Sequence, residues 1–168
     1  MLNRRSSLIG WLLVFILFSI IVVAIRQFPD VEESRKRHLN MLSMTTSAFQ
    51  QTVIYSHLKY HSAKHKGAAL NVLDLGAGEL DFNRFGFPIG VNHDAITLGL
   101  DVTPVDCESI WYSMVGAMSP MLAPNSSGIF TTIAVSGNCV FRSIQYPDMA
   151  IVYNPARGSV QLNVEDQR

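Results

Sequence analysis

The sequence contains only two cysteines and no excess of charge of either sign. Cys107 and Cys139 lie too far apart for a Cys-x-x-Cys redox motif. Thirteen lysines and arginines balance thirteen aspartates and glutamates, so no nucleic-acid-binding or polybasic lipid-binding surface is indicated. No serine lies in a glycine-framed nucleophile elbow, and the chain has no internal repeat. We therefore expect no catalytic residue, no cofactor, no small-molecule substrate and no nucleic-acid partner.

Charge is also missing from Leu8–Ile25, a run of eighteen residues near the N terminus. As a helix with a rise of about 1.5 Å per residue, the run would be roughly 27 Å long, close to the hydrocarbon thickness of a bilayer. It predicts a transmembrane helix, and a buried helix of a soluble core or a cleaved signal peptide are the alternatives. The predicted membrane anchor contains Leu8, Trp11, Phe15, Phe18 and Ile25.

The two cysteines bear on the side of the membrane on which the rest of the chain lies. Arg4 and Arg5 precede the apolar run, but more basic residues follow it, so the positive-inside count does not favour an external domain. An even number of cysteines in a chain that leaves the cytoplasm indicates a disulfide between Cys107 and Cys139, and a reduced, buried pair is the alternative. We place the domain outside the cytoplasm.

From Leu39 onward, apolar residues recur at intervals of three and four, as they do on one face of an amphipathic helix. Acidic residues at positions 30, 32 and 33 suit the positive end of the helix dipole, and Gly67 ends the pattern. The sequence therefore predicts a long helix within residues 28–66. Its predicted apolar face contains Leu39, Leu42, Thr46, Phe49, Val53 and Tyr60.

Three histidines in this helix, His57, His61 and His65, follow one another at intervals of four residues. Two histidines at this spacing can share a metal cation. No carboxylate or cysteine lies nearby in the sequence to complete a ligand set. We interpret the three histidines as a solvated basic face and expect no metal site.

The remainder of the chain predicts a glycine-rich loop region, a short helix and several strands. Residues 70–75 suggest a short strand or turn, and Thr103, Pro104 and Asp106 form the expected start of the short helix. Beyond this helix, apolar residues recur at every second position, which predicts strands. Short turns separate these strands, which predicts antiparallel pairing. The predicted strands are Ile129–Val135, Cys139–Tyr146, Ala150–Tyr153 and Ser159–Val164.

Together these patterns predict an α+β fold in which a transmembrane helix continues into the amphipathic helix, and that helix packs on a C-terminal antiparallel β-meander. The expected organisation is a membrane anchor (1–27), a long helix (28–66), and a loop region with the sheet (67–168), with 28–168 as one periplasmic domain. Large aromatic residues in so small a domain serve burial. The predicted core contains Phe49, Val53, Trp111 and Phe141.

One glycine-rich segment resembles a nucleotide-cofactor motif. Residues 72–79, with the sequence VLDLGAGE, resemble the first motif of S-adenosylmethionine-dependent methyltransferases. The third glycine of that motif is replaced by Leu80, and no helical pattern follows the loop. The strand–helix crossovers of that fold also need more chain than remains. A methyltransferase is therefore only a remote alternative.

Short motifs in two parts of the chain follow a second known pattern. They are Gly86-Phe-Pro88, Asp106-Cys107, Ile110-Trp111, Cys139-Val-Phe141, Ile151-Val-Tyr-Asn-Pro155 and Gly158-Ser-Val160. This series resembles type IV pilin-like proteins of mannose-sensitive haemagglutinin (MSHA) pilus systems. The resemblance implies a single-pass protein of the bacterial inner membrane with a periplasmic C-terminal domain. Its implied role is non-enzymatic pilus biogenesis, with the lipid bilayer and pilins or other pilus assembly proteins as partners.

The N terminus departs from the pilin pattern. Pilins carry a glutamate at the fifth position after the cleaved glycine, whereas here Phe15 is the fifth residue after Gly10, and no glutamate occurs before Glu32. This glutamate neutralises a neighbouring N-terminal amine during assembly within lipid, so its absence indicates an accessory protein. The alternative function is a membrane-tethered periplasmic module that binds a small ligand or glycan through Phe82, Phe85 and Phe87.

Overall fold

The structure is a computed structural model that describes residues 11, 14–23, 31–65, 67–74, 79–91, 93, 101–116 and 129–165. It is an α+β protein with two antiparallel sheets. Its helices are α1 (the helical residues 14–23), α2 (Val31–Ser62) and α3 (Pro104–Trp111), which continues as a π-helical turn, Tyr112–Gly116. Its strands are β1 (Ala69–Asp74), β2 (Glu79–Phe82), β3 (Pro88–Gly90), β4 (Phe130–Val135), β5 (Asn138–Ser143), β6 (Met149–Asn154) and β7 (Ser159–Val164).

The fold prediction was wrong in its first element, the transmembrane helix. Within the described ranges, none of the helices combines the length and the apolarity needed to cross a membrane. The longest described helix, α2, carries charged residues along its length. Of the predicted anchor residues, Trp11, Phe15 and Phe18 are exposed, whereas Leu8 and Ile25 lie outside the described residues.

The chain divides into two compact units, Met1–His38 and Leu39–Arg168. The boundary that the sequence predicts after residue 27 stays a prediction. In the first unit, the described part of α2 carries two exposed ion pairs between residues four apart, Glu32 with Lys36 and Glu33 with Arg37. Such pairs stabilise an exposed helix by only about 0.3–0.5 kcal/mol each. The second unit contains both sheets and the hydrophobic core.

The four C-terminal strands form a meander in the order β4-β5-β6-β7, each antiparallel to the next. The two-residue turn at Ser136 and Gly137 joins β4 to β5, and both residues have positive φ, the requirement of a tight hairpin that matches the strand twist. Side chains alternate between the two faces, so Cys139 and Phe141 of β5 point into the core. Ile133 and Val135 of β4 lie on the outer face.

A second sheet occupies part of the region for which the sequence predicts mainly loops. Strand β2 pairs antiparallel with β1 on one side and with β3 on the other, giving the order β1-β2-β3. The prediction was wrong here because β2 and β3 have only four and three residues. Strands this short are not long enough to show an alternation of apolar and polar residues. In addition, every residue of the two strands except Glu79 is buried, so the strands have no regular exposed face that polar residues would mark.

In the second unit, α2 presents one continuous stripe to the core. The stripe repeats at intervals of three and four and consists of Leu42, Thr45, Phe49, Val53, Ser56 and Tyr60. Thr45 therefore takes the position that the sequence analysis gives to Thr46, which is half-buried. Thr45 can be buried because its hydroxyl donates to the carbonyl oxygen of Met41 at 2.9 Å, one turn earlier in the helix.

Helix α3 begins where the sequence predicts. Thr103 is the N-cap, and its hydroxyl accepts a hydrogen bond from the backbone amide of Asp106 at 3.3 Å. The Asp106 carboxylate accepts from the Thr103 amide at 2.8 Å, which completes a capping box. Pro104 occupies the first turn, where its missing amide hydrogen costs nothing. The predicted start of this helix is confirmed.

Candidate functional site

The predicted disulfide is present, and it joins α3 to the meander. Cys107 of α3 and Cys139 of β5 are bonded with their Cα atoms 5.3 Å apart, and both side chains are fully buried. No free cysteine remains. The bridge fixes the short helix on the inner face of the sheet, beside the aromatic core.

The aromatic core holds α2, α3 and the meander together. Phe49 of α2 is at its centre, with ring-centroid distances of 5.9 Å to Trp111, 5.9 Å to Phe141 and 5.5 Å to Tyr153. Trp111 and Phe141 are themselves 4.5 Å apart. All four residues of the expected core, Phe49, Val53, Trp111 and Phe141, are buried. Edge-to-face aromatic contacts add about 0.5–1.5 kcal/mol per pair beyond burial.

Tyr153 is the polar member of this core. Its hydroxyl donates a hydrogen bond to the carbonyl oxygen of Pro88 at 2.8 Å, which ties β6 to the start of β3 in the other sheet. The side chain is completely buried, and burial raises the pKa of Tyr153 well above its ordinary value of 10.0.

The Tyr153→Phe variant should be less stable than the native chain by about 1–2 kcal/mol at neutral pH, because the Pro88 carbonyl loses its donor. This difference should shrink above pH 10. Above pH 10 the Tyr153 hydroxyl of the unfolded chain loses its proton, whereas the buried hydroxyl of the folded chain keeps it, because its pKa is raised. Tyr153 therefore stabilises the fold fully below pH 10 and less as the pH rises. Urea unfolding at pH 7 and pH 10.5 measures both effects, and an equal loss at the two pH values would contradict the second.

The segment between β2 and β3 is built around one buried asparagine, Asn83. Its side-chain oxygen accepts hydrogen bonds from the backbone amides of Phe85 and Phe87 at 2.9 and 3.1 Å. Its side-chain amide donates to the carbonyl oxygen of Pro155 at 2.8 Å, in the turn between β6 and β7. Asn83 therefore shapes the turn and attaches it to the meander.

Some of the motif residues, from 86–88 and from 153–160, meet at this turn. Gly158 has a φ of +62°, and a Cβ atom there would lie 2.0 Å from Cε1 of Phe87, so only glycine allows the contact. Gln50 of α2 also contacts this region. Its side-chain amide donates a hydrogen bond to the Gly158 carbonyl at 3.0 Å, and its side-chain oxygen accepts one from the Val160 amide at 2.7 Å. We call this group of contacts the motif junction, because Gly86–Pro88 and 153–160 both belong to it.

The three aromatic residues of the alternative binding module do not converge on one surface. Phe82 is fully buried and stacks on Tyr60 with the ring centroids 5.5 Å apart. Phe87 is half-buried between His57 and Gly158. Of the three, only Phe85 is exposed, at 42%, and the guanidinium of Arg84 lies over its ring at 4.8 Å. Two of the three therefore serve packing under α2.

The methyltransferase-like motif begins in a hairpin. Strand β1 pairs antiparallel with β2, and Asp74 lies opposite Glu79. The cofactor motif instead requires a strand of a parallel sheet that leads into a helix. Gly76 and Gly78 lie outside the described residues.

A buried acid–histidine network, which no local sequence pattern indicates, lies in the same region. Asp81 of β2 is fully buried and accepts hydrogen bonds at 2.8 Å from the backbone amides of Asn71 and His93. Its second oxygen also faces Nδ1 of His93 at 3.2 Å, and Nε2 of His93 lies 3.5 Å from the carboxylate of Asp106. Gly90 makes room for this arrangement, since a Cβ atom there would lie 2.5 Å from Asp106.

Exposed apolar side chains mark the outer face of the meander. Ile133 of β4 is paired with Val140 of β5, which in turn is paired with Val152 of β6, so the three form a row across the sheet. Ile133 and Val135 are 40% and 48% exposed. Among the described strands, β4 is an edge of this sheet. An edge strand bordered by exposed apolar residues is suited to contact another protein.

The comparisons with known proteins identify no relative. No protein-family model matches the chain, and neither the curated proteins nor the solved structures give a significant match.

Proposed function

We propose that this chain is an accessory protein in the biogenesis of a type IV pilus of the MSHA type, and that it acts through contacts with pilins or other assembly proteins. The motif junction is the observation that carries this proposal. Gly86–Pro88 and 153–160, which are distant in sequence, contribute to one set of contacts. Motifs with a shared structural role are better support for a family resemblance than isolated matches.

The outer face of the meander supplies a surface for such contacts. The row formed by Ile133, Val140 and Val152 leaves apolar area exposed beside the edge strand β4. A binding partner would remove this area from water at roughly 25 cal/mol per Å² of apolar surface, and it could also pair with the edge.

The disulfide supports a periplasmic location for the domain. Disulfides persist in oxidising compartments and are rare in the cytoplasm. Cys107 and Cys139 are the only cysteines of the chain, and they are bonded within the core. The proposal therefore places pilus-related contacts on the periplasmic side.

Burial of the aromatic residues favours the contact role over the ligand-binding alternative. A glycan or small-ligand site would use several exposed aromatic side chains on one surface. Here Phe82 and Phe87 are packed against Tyr60 and His57, and of the three only Phe85 is exposed.

In-cell photocrosslinking tests the proposal. A photoreactive side chain at Ile133 should give an adduct with a pilin or pilus assembly protein, identified by mass spectrometry, in the organism that encodes the chain. The matched control is the same side chain at Arg157, an exposed residue of the β6–β7 turn, which should give no such adduct. In parallel, deletion of the gene should reduce the pilin on the cell surface, and the native chain should restore it.

The Ile133→Asp variant should accumulate normally because its side chain is on the exposed face, yet it should restore surface pilin poorly. Unchanged surface pilin after deletion, or identical adducts from Ile133 and Arg157, would count against the proposed function.

A further inference from the structure

His57 and His61 of α2 form a close pair in the structure, whereas His65 follows the end of the helix at Ser62. Nε2 of His61 lies 3.0 Å from Nε2 of His57, one helical turn away. The ring centroids are 4.3 Å apart. His65 does not take part in this contact and instead stacks on Tyr60 at 5.5 Å. The solvated basic face expected from the sequence is thus divided into a histidine pair and one separate histidine.

The surroundings of His57 fix its tautomer. Its Nδ1 lies 2.7 Å from the carbonyl oxygen of Gly86, and because a carbonyl only accepts, Nδ1 must carry the hydrogen. In neutral His57 the lone pair is therefore on Nε2, the atom that faces His61. A metal-binding histidine usually has this arrangement, with its other nitrogen donating to a backbone carbonyl.

The ring of His57 is also held in place by packing. It stacks on Phe87 with the centroids 4.3 Å apart and an interplanar angle of 14°. Gly86 permits the close approach, since a Cβ atom there would lie 2.6 Å from Tyr60 and 3.1 Å from Nδ1 of His57. Nε2 of His57 is thus oriented before any cation binds. The ring of His61 is exposed, so it can rotate to complete the coordination.

We propose that His57 and His61 bind a divalent transition-metal cation of the Cu²⁺ or Ni²⁺ class through their Nε2 atoms, with water completing the coordination. Metal–nitrogen bonds of about 2.0–2.1 Å separate two nitrogens by roughly 2.9 Å at a right angle and roughly 3.3 Å in a tetrahedron. The observed 3.0 Å is closer to the right angle, which Cu²⁺ and Ni²⁺ prefer with nitrogen ligands.

The site is a two-residue site. Within the residues that the structure describes, no three or more histidine, cysteine or acidic side chains are grouped as metal ligands. In the metal-bound form, His61 would carry its hydrogen on Nδ1, and the cation would replace the hydrogen bond between the two rings. The site lies on α2 beside Phe87, so it is separate from the outer face of the meander and does not rest on the proposed pilus function.

Calorimetric titration of the full chain, prepared without a polyhistidine tag, tests the site with Ni²⁺ and Cu²⁺. The His61→Gln variant should bind Ni²⁺ at least about tenfold more weakly than the native chain. Because His61 is exposed, this change leaves the core intact. His65→Gln is the matched control, in the same histidine series but outside the pair, and it should keep its affinity within about twofold. Mg²⁺, which prefers oxygen ligands, should not bind the pair.

Electron paramagnetic resonance of the Cu²⁺ complex gives a second readout. The native chain should show coupling to two imidazole nitrogens, and His61→Gln should lose one of them. Equal Ni²⁺ affinity of the native chain and His61→Gln, or an equal loss in His65→Gln, would overturn the assignment.

Discussion

Replacing Cys107 and Cys139 together by alanine should lower the free energy of unfolding by about 3–4 kcal/mol, because the bridge between α3 and β5 restricts the unfolded chain. The bonded residues are 32 positions apart, and the chain-entropy model assigns about this amount to a loop of that length. Both side chains are fully buried, so alanine also removes packing contacts and acts in the same direction. Urea unfolding followed by circular dichroism measures the change as a lower midpoint.

Treatment with a reducing agent distinguishes the contribution of the disulfide to stability from the contribution of side-chain packing. Reduction should destabilise the native chain by most of the same amount, whereas the double alanine variant should not respond. Two free thiols in the native protein by mass spectrometry, or an unchanged midpoint after reduction, would rule out the bridge.

Elements that depend on near neighbours in the chain are the ones that sequence reasoning recovers. The start of α3 is encoded by Thr103, Pro104 and Asp106 within four positions, and the capping box needs no other part of the fold. The turn at Ser136 and Gly137 likewise connects strands that are adjacent in sequence. In both cases the residues that specify the element are also the residues that form it.

The first sheet and the motif junction depend on distant parts of the chain. Strand β3 has three residues, and it is held through contacts such as the hydrogen bond from Tyr153 to Pro88, across 65 positions. Gly158 likewise requires the ring of Phe87 as its neighbour. No local periodicity carries this information, so the segment that contains β2 and β3 is interpreted as a loop, although both are short and largely buried strands.

The predicted helical face of three histidines was wrong for His65, because α2 ends at Ser62, and holds only for His57 and His61. A period of four in the sequence does not distinguish among His57, His61 and His65. The distinction comes from the turn around Asn83, which brings the Gly86 carbonyl to His57 alone. Tertiary structure thus selects which histidines form a pair.

Replacing Asp81 by alanine should lower the free energy of unfolding by about 3–5 kcal/mol, because two backbone amides and the His93 ring would lose a buried, charged partner. The carboxylate is fully buried and accepts from the amides of Asn71 and His93, and it also faces Nδ1 of His93. A hydrogen bond to a charged group contributes about 1.5–3 kcal/mol. The loss should be measurable in urea unfolding as a lower midpoint with little change in slope.

Glu79→Ala is the matched control, since Glu79 is an exposed acidic residue of the same strand, and it should change stability by less than about 0.5 kcal/mol. Asp81→Asn keeps the size of the side chain and one acceptor oxygen, so it should fall between the alanine variant and the native chain. This milder variant keeps the test informative if Asp81→Ala does not fold. A double-mutant cycle with His93→Ala should give a coupling of about 0.5–3 kcal/mol, as expected for residues of one network. Additive effects of Asp81 and His93 would mean that the carboxylate is held by the backbone amides alone.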